Sequence, residues 1–304
     1  MHLPGKILLG TVAALGSAFT FASYSIWVKY AYNYLQPWEL LSLQSLLASA
    51  LLLLVNLHQG WKDLKLPLQT LRQLVLLGLV GTMLSNICFT WSIRYLSPAM
   101  ATILLYTYPA LVILGSTFWL KKKVTNYHWL AVALTFLGSY LSVNTLGNGT
   151  FNLLGIALAL GSAICTAFYN LQGERVLTVV SPLAALTISQ FASTAALFFI
   201  APPRYLWSGG LPWPGVLLAL GTTIVASLIP FFLLLKGIAL LGAGPISIIS
   251  ACELPIVAIY SFLFFNQKLS FYQLSGLLLV ISAILVIHWS ERHQTGNTKE
   301  NSVP

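Results

Sequence analysis

Charge is what this 304-residue chain has least of: Asp, Glu, Lys and Arg together make up 7% of it, against roughly a quarter in a soluble domain. A globule with so thin a polar coat would not stay dissolved, which excludes a soluble enzyme or binding module. Acids are scarcest. Asp63 is the only aspartate, so there is no paired-aspartate site of the kind that does acid–base work. Cysteine is nearly absent too. Cys88, Cys165 and Cys252 show no CxxC spacing and sit in apolar runs, so they read as packing residues rather than disulfides or thiolate metal ligands. No HExxH, GxGxxG, GxxxxGK or GxSxG occurs, and the five histidines, His2, His58, His128, His288 and His293, lie near segment ends or termini. Neither a metal nor a cofactor is expected, and without a phosphate loop the chain cannot itself be driven by ATP.

What the chain has in abundance is apolar length. Hydrophobic residues make up 58% and the mean hydropathy is +0.84. A bilayer-crossing helix needs about 20 apolar residues. By that measure the chain reads as an all-α integral membrane protein of ten spans: Ile7–Lys29, Pro37–Leu57, Leu71–Ile93, Pro98–Leu120, Asn126–Asn144, Asn152–Gly173, Pro182–Ala201, Pro214–Leu235, Gly244–Phe265 and Tyr272–Trp289. The first apolar stretch is too long for a signal peptide and is followed by further spans, so it counts as a span. The net charge of +9 suggests nucleic acid at first sight, but the positions of the bases fit the positive-inside rule. With the N-terminus in the cytoplasm, that side holds Lys6, Lys62, Lys65, Arg72, Lys121, Lys122, Lys123, Arg175, Lys236, Arg292 and Lys299, leaving Lys29, Arg94, Arg204 and Lys268 outside. Both termini are therefore expected in the cytoplasm, and the lysine run at 121–123 reads as a topology anchor. The expected location is the inner (plasma) membrane of a bacterial-type cell.

The chain also repeats itself. A shift of 145 residues lays Gly10, Ala14, Leu15, Gly16, Ser17, Ala18, Ala22 and Tyr24 on Gly155, Ala159, Leu160, Gly161, Ser162, Ala163, Ala167 and Tyr169, and Pro37 on Pro182. A shift of 146 lays Pro109 on Pro255 and Lys122 on Lys268. The expected organisation is a five-helix unit at 1–146, a second at 147–290 and a disordered cytoplasmic tail at 291–304. Because five is odd, the second unit enters the membrane from the opposite side, so the repeats are inverted. Inverted repeats are a recurring transporter architecture, with a site near the midplane. The stripe Gly10, Ala14, Ala18, Ala22 and its counterpart in the sixth span have the spacing that lets helices approach closely in lipid. Static packing and sliding contact both account for it.

Two five-helix units, a fourth span running Ser97-Pro98-Ala99 through Tyr108-Pro109-Ala110 to Leu120-Lys121-Lys122-Lys123, and its counterpart Gly242-Ala243-Gly244 through Glu253-Leu254-Pro255 to Asn266-Gln267-Lys268, resemble the drug/metabolite transporter superfamily, in particular its EamA-type ten-helix branch. The resemblance covers the whole chain. It implies a central cavity framed by spans 1, 3, 4, 6, 8 and 9, and export of amino acids, related metabolites or amphipathic drugs. Members commonly carry a Glu just after the fourth span of each repeat, where this chain has Lys122 and Gln267, so no role passes to those positions.

Glu253 is the foremost candidate site residue. An acid half-way along a span is expensive, and such residues face cavities and mark substrate or proton paths. It reads as a substrate-binding or proton-carrying carboxyl, with a structural carboxyl bonded to a neighbouring helix as the other reading. Pro109, Pro230 and Pro255 fall within spans, where proline removes a donor and frees the carbonyls of Leu105, Ala226 and Ala251. The pair Pro109 and Pro255 reads as a gating hinge, and Pro230 as a kink. Asn86, Asn170, Tyr24, Tyr106 and Tyr169 bring polar tips to depths where lipid offers no partner. They are candidates for substrate contact, although interhelical hydrogen bonding also explains them. Trp27, Trp91, Trp119, Trp207 and Trp213 read as interfacial belt residues.

The partners expected are a small-molecule substrate, the lipid bilayer and protons, with no nucleic acid; the oligomeric state is not legible. A polytopic enzyme acting on a lipid-linked substrate and a channel are the alternative functions. The first lacks its motifs and the second lacks repeated charges or carbonyl loops. One intramembrane acid without a cluster of bases suits neutral or zwitterionic solutes better than phosphates.

Overall fold

The structure, a computed structural model, describes residues 3–59, 66–96, 101, 104–122, 124–142, 152–200, 202–203 and 212–265, with positions 271–272, 274–276, 278–279, 281–283, 285–286 and 289 of the last helix. The described residues form helices joined by turns. In order these are α1 (Leu3–Ala22), α2 (Tyr24–Ala31), α3 (Pro37–Gln59), α4 (Leu68–Leu76), which continues through a π-helical stretch at Leu77–Leu84 into α5 (Ser85–Tyr95), α6 (Tyr108–Phe118), α7 (Asn126–Ser142), α8 (Leu153–Val176) and α9 (Pro182–Ile200). Then come α10 (Trp213–Thr223), a π-helical stretch at Ile224–Leu228, α11 (Ile229–Leu241), α12 (Ala243–Ser250) and α13 (Glu253–Phe265), and last α14 (Leu274–Ala283). Among the described residues six helical stretches are long and apolar enough to cross a membrane: Gly5–Val28, Pro37–His58, Leu68–Ser92, Leu153–Val176, Pro182–Ile200 and Trp213–Leu241. Shorter apolar helices stand at Tyr108–Phe118, Ala243–Val257 and Leu274–Ala283. The tail at 291–304 lies outside the described residues.

Three of the spans expected to be continuous are broken. The span read as Ile7–Lys29 stops at Ser23. Thr20 Oγ1 bonds the carbonyls of Gly16 (2.8 Å) and Ser17 (3.0 Å), and Ser23 Oγ bonds that of Thr20 (2.7 Å); such hydroxyls compete with the helical ladder and bend it. The span read as Pro98–Leu120 turns at Tyr106–Thr107 before α6 begins, and the span read as Gly244–Phe265 turns at Ala251–Cys252 between α12 and α13. Tight turns use up the loosened carbonyls. Thr107 N–H and Oγ1 both donate to Leu104 O, at 3.2 and 2.8 Å, and Leu254 N–H donates to Ala251 O at 3.3 Å. Pro109 and Pro255 fall in the first turn of the half-helix that follows, where proline's missing N–H costs nothing. Pro230, read as a mid-helix kink, lies within the continuous helical stretch Trp213–Leu241, two residues past its π-helical part.

The 145-residue shift that aligns the sequence also carries contacts. α1 packs along α11, and α8 packs along α5. Ser17 Oγ donates to Pro230 O at 2.9 Å, and Ser162 Oγ donates to Ser85 O at 3.0 Å; the shift takes Ser17 to Ser162 and Ser85 to Pro230. A Cβ on Gly10 would run into Leu240 and Leu241, and one on Gly155 would run into Tyr95 and Leu96. Small residues are therefore required where these helices cross. The core is shared between the halves: one buried cluster joins Ala14, Leu74 and Leu77 to Tyr169, Leu235 and Ile246.

A polar seam ties α3 to α9. Ser45 Oγ lies 2.6 Å and Ser49 Oγ 2.8 Å from Thr194 Oγ1, Gln190 Nε2 donates to Ser45 Oγ at 3.2 Å, and Asn56 Nδ2 donates to Thr187 Oγ1 at 3.0 Å. Partners fall in opposite order along the two helices, and the shift takes Ser45 to Gln190 and Ser49 to Thr194.

Candidate functional site

The two broken spans bring chemistry together. α6 and α12 pack against each other, with Tyr108 OH donating to Ser247 O at 3.2 Å. Glu253, the first residue of α13, faces the side chain of Tyr106 from the turn before α6. The Tyr106 and Tyr108 rings lie 5.8 Å apart. The acid thus sits at the positive end of a helix dipole, which favours a negative charge there, and the tyrosine it faces comes from the other half of the chain. Tyr106 and Tyr108 are buried in a cluster with Val112, Ala163, Ala167, Ala251 and Leu254. Cys252, beside the acid, packs on Ala18 of α1. A cavity of about 330 Å³ opens against Tyr106, lined by Thr107, Pro109 and Ala110 and by Trp129, Val132, Ala133, Thr135 and Phe136 of α7.

The structure pairs two of the expected site residues, Glu253 and Tyr106, and sets both beside the turns that hold Pro109 and Pro255. It places the others elsewhere. Tyr169 is buried in the shared core with its ring 5.5 Å from that of Phe231 and its hydroxyl unpartnered among the described residues. Asn170 is buried, with Nδ2 donating to Thr166 O at 2.9 Å and Oδ1 unpartnered among the described residues. Tyr24 opens α2 and is half-buried, and Asn86 in α5 is exposed.

Two features escaped the sequence reading. The first is Tyr108, which occupies in the first half the place Glu253 occupies in the second: each is the first residue after its break, 145 positions apart. Aligning the prolines at 146 hides this; aligning the helix starts finds it, because proline is tolerated anywhere in a first turn. The second is Glu174. Together with Lys122 it forms an ion pair, where the lysine run had been read as a topology anchor only.

Several apolar helices, each long enough to cross a bilayer, around a site with a single acid define a multi-pass membrane protein. The family follows from comparison with known proteins. The EamA-like transporter family matches residues 8–144 and again 153–289, and the chain belongs to that family. An uncharacterized transporter of Archaeoglobus fulgidus is 24% identical over 67% of this chain and 69% of its own length. The threonine/homoserine exporter RhtA of Escherichia coli is 27% identical over 78% of this chain and 77% of its own. A crystal structure 15% identical in sequence superposes with a TM-score of 0.78 over 94% of this chain and 98% of the other, a likeness of fold.

Proposed function

We propose that the chain is a secondary exporter of small organic solutes, amino acids or amphipathic compounds bearing an amine, which it moves by alternating access between two inverted five-helix repeats. The observation that carries the reading is Glu253. It is an acid within a broken span, facing a tyrosine from the broken span of the other half. An amine or a proton can take the place of the Tyr106 hydroxyl, so occupancy of the acid alters a contact between the halves. That is the differential interaction a two-state carrier needs.

The ten-span inverted arrangement is supported by the family match over two successive segments, by the repeated Ser17 and Ser162 hydrogen bonds and by the opposite order of contacts along α3 and α9. Two half-structures of like sequence and opposite orientation can exchange roles, which gives inward-open and outward-open states of similar energy. The excess of Lys and Arg on one side favours cytoplasmic termini in the inner membrane. Export is favoured by the relative named as an exporter. The relatives' names favour transport over lipid-linked enzymology.

The test is flux in proteoliposomes offered labelled amino acids, amines and nucleosides with and without a pH gradient, for the parent and Glu253→Gln. Gln keeps size and hydrogen bonding but not the titrating charge, so pH-dependent flux should vanish while expression holds. A Gln variant with an unchanged pH profile removes the coupling role.

A further inference from the structure

We propose that Lys122 and Glu174 form a latch that shuts one mouth of the central cavity and makes the shut state of that mouth the resting one. The inference rests on the alternating-access reading. Glu174 lies in the last turn of α8, and Lys122 lies just past the end of α6, where Lys121 takes a φ of +53° and Lys122 N–H donates to Ser116 O at 3.0 Å. The Lys122 ammonium pairs with Oε1 of Glu174, and Oε2 accepts the N–H of Ala243, the first residue of α12, at 2.8 Å. One carboxylate therefore neutralises a lysine and caps a helix N-terminus, tying the ends of three helices. Gly242 makes room for this. Its φ is +85°, and a Cβ there would stand 2.7 Å from Lys122 Nζ and 3.2 Å from the Glu174 carboxylate. Beside the pair, Arg175 donates to Trp119 O at 2.7 Å and lies 5.1 Å above its indole ring.

α6 and α12 are the half-helices on the latch side of the two breaks, so the latch holds together the segments whose parting would open the cavity at that end. The 145-residue shift does not repeat the pair at the other end. The 145-residue shift puts Lys29 at the Glu174 position and Gln267 at the Lys122 position, a base and an amide with no carboxylate between them. An ion pair thus favours closure at the mouth that holds Lys122 and Glu174. With side-chain exposures of 42% for Lys122 and 17% for Glu174, the pair is weak enough to break in each cycle.

The test places spin labels at Asn126→Cys, the first residue of α7, and Thr178→Cys, just past α8, in protein whose native cysteines are alanines, and reads their distance by double electron–electron resonance in lipid nanodiscs. Glu174→Gln keeps an acceptor for Ala243 N–H and loses only the charge; Lys122→Met loses the pair and leaves the cap. Each should raise the long-distance population about fivefold, the effect of an ion pair worth about 1 kcal/mol. Raising KCl from low to molar concentration should do the same in the parent by screening, and should leave Lys122→Met unchanged. Distances identical in parent and both variants, or a parent indifferent to salt, would overturn the latch. Solute flux in the parent with unmoved distances removes the latch alone, whereas moved distances without flux of any solute remove the transport reading and leave the clamp.

Discussion

The starts of α6 and α13 are the same backbone device carrying different chemistry. Each follows a turn within a stretch read from the sequence as one span, each has a proline in its first turn, and the two lie 145 residues apart. In the first half the opening residue is Tyr108, which donates to a backbone carbonyl. In the second it is Glu253, which the Tyr106 side chain faces. Duplication supplied a symmetric pair of breaks, and divergence placed a titratable group at one of them only. A carrier needs the near-symmetry for its two states and the asymmetry for a single binding chemistry.

The sharpest way to break that comparison is to remove the two hydroxyls in turn. Tyr106 faces a carboxyl, and a hydrogen bond to a charged group is worth about 1.5–3 kcal/mol. Tyr106→Phe should therefore lower flux by about tenfold or more. Tyr108→Phe loses a neutral bond worth about 1 kcal/mol that goes to the Ser247 carbonyl rather than to the acid, and should change the pH profile less. Equal losses in the two variants would mean that the acid has no special partner.

A second contrast concerns how the halves touch beside the π-helical stretches. Gly78 lies so close to the backbone carbonyl of Ser189 that a Cβ cannot fit. The shift takes this pair to Thr223 and Gln44, where Thr223 Oγ1 reaches the Gln44 carbonyl at 3.4 Å. Gly78→Ala should cost about 1–3 kcal/mol, since backbone must move to admit the methyl. Thr223→Ala gives up only a long hydrogen bond, and its hydroxyl also bonds Ala219 O, so its cost should be smaller. Thermal unfolding in detergent of both variants measures the difference.

Much of this was legible because it is periodic. The shift found in helices 1 and 6 by identity alone reappears in their partners, Leu241 with Gly10 and Leu96 with Gly155. Glu253 stood out because a mid-span acid is costly. The breaks at Tyr106 and Ala251 were hidden. Their turns satisfy themselves through local carbonyl bonds and carry no glycine, so hydropathy runs straight through them. The Lys122–Glu174 pair was hidden because it joins positions 52 residues apart in a region where positive charge already had an explanation.

The hinge prolines test whether the breaks move. Pro109→Ala and Pro255→Ala restore a backbone donor and allow each span to straighten, so inserted protein should persist while flux slows several-fold. Because the prolines stand at the second and third positions of their half-helices, the two effects need not be equal. Parental rates in both would make them shape-setting residues only.

The smallest effect belongs to the contacts that are alike in both halves. Ser17 and Ser162 each donate to a backbone carbonyl just beyond a π-helical stretch. In a membrane such interhelical bonds average about 0.6 kcal/mol, because the unfolded chain also finds partners. Ser17→Ala and Ser162→Ala should each cost about that much in thermal stability. Ser162 is expected to lose slightly more, since its hydroxyl also lies 3.1 Å from Ser85 Oγ. If α1 grips α11 as α8 grips α5, the double variant should show the sum of the two losses, because separate bonds that share no partner add. It should leave the ratio of flux with and without a pH gradient where it was, since neither bond is made to the carboxyl. A loss in the double variant well above the sum would mean that the two crossings are coupled through the shared core, and the halves would then respond as one body rather than as two like grips.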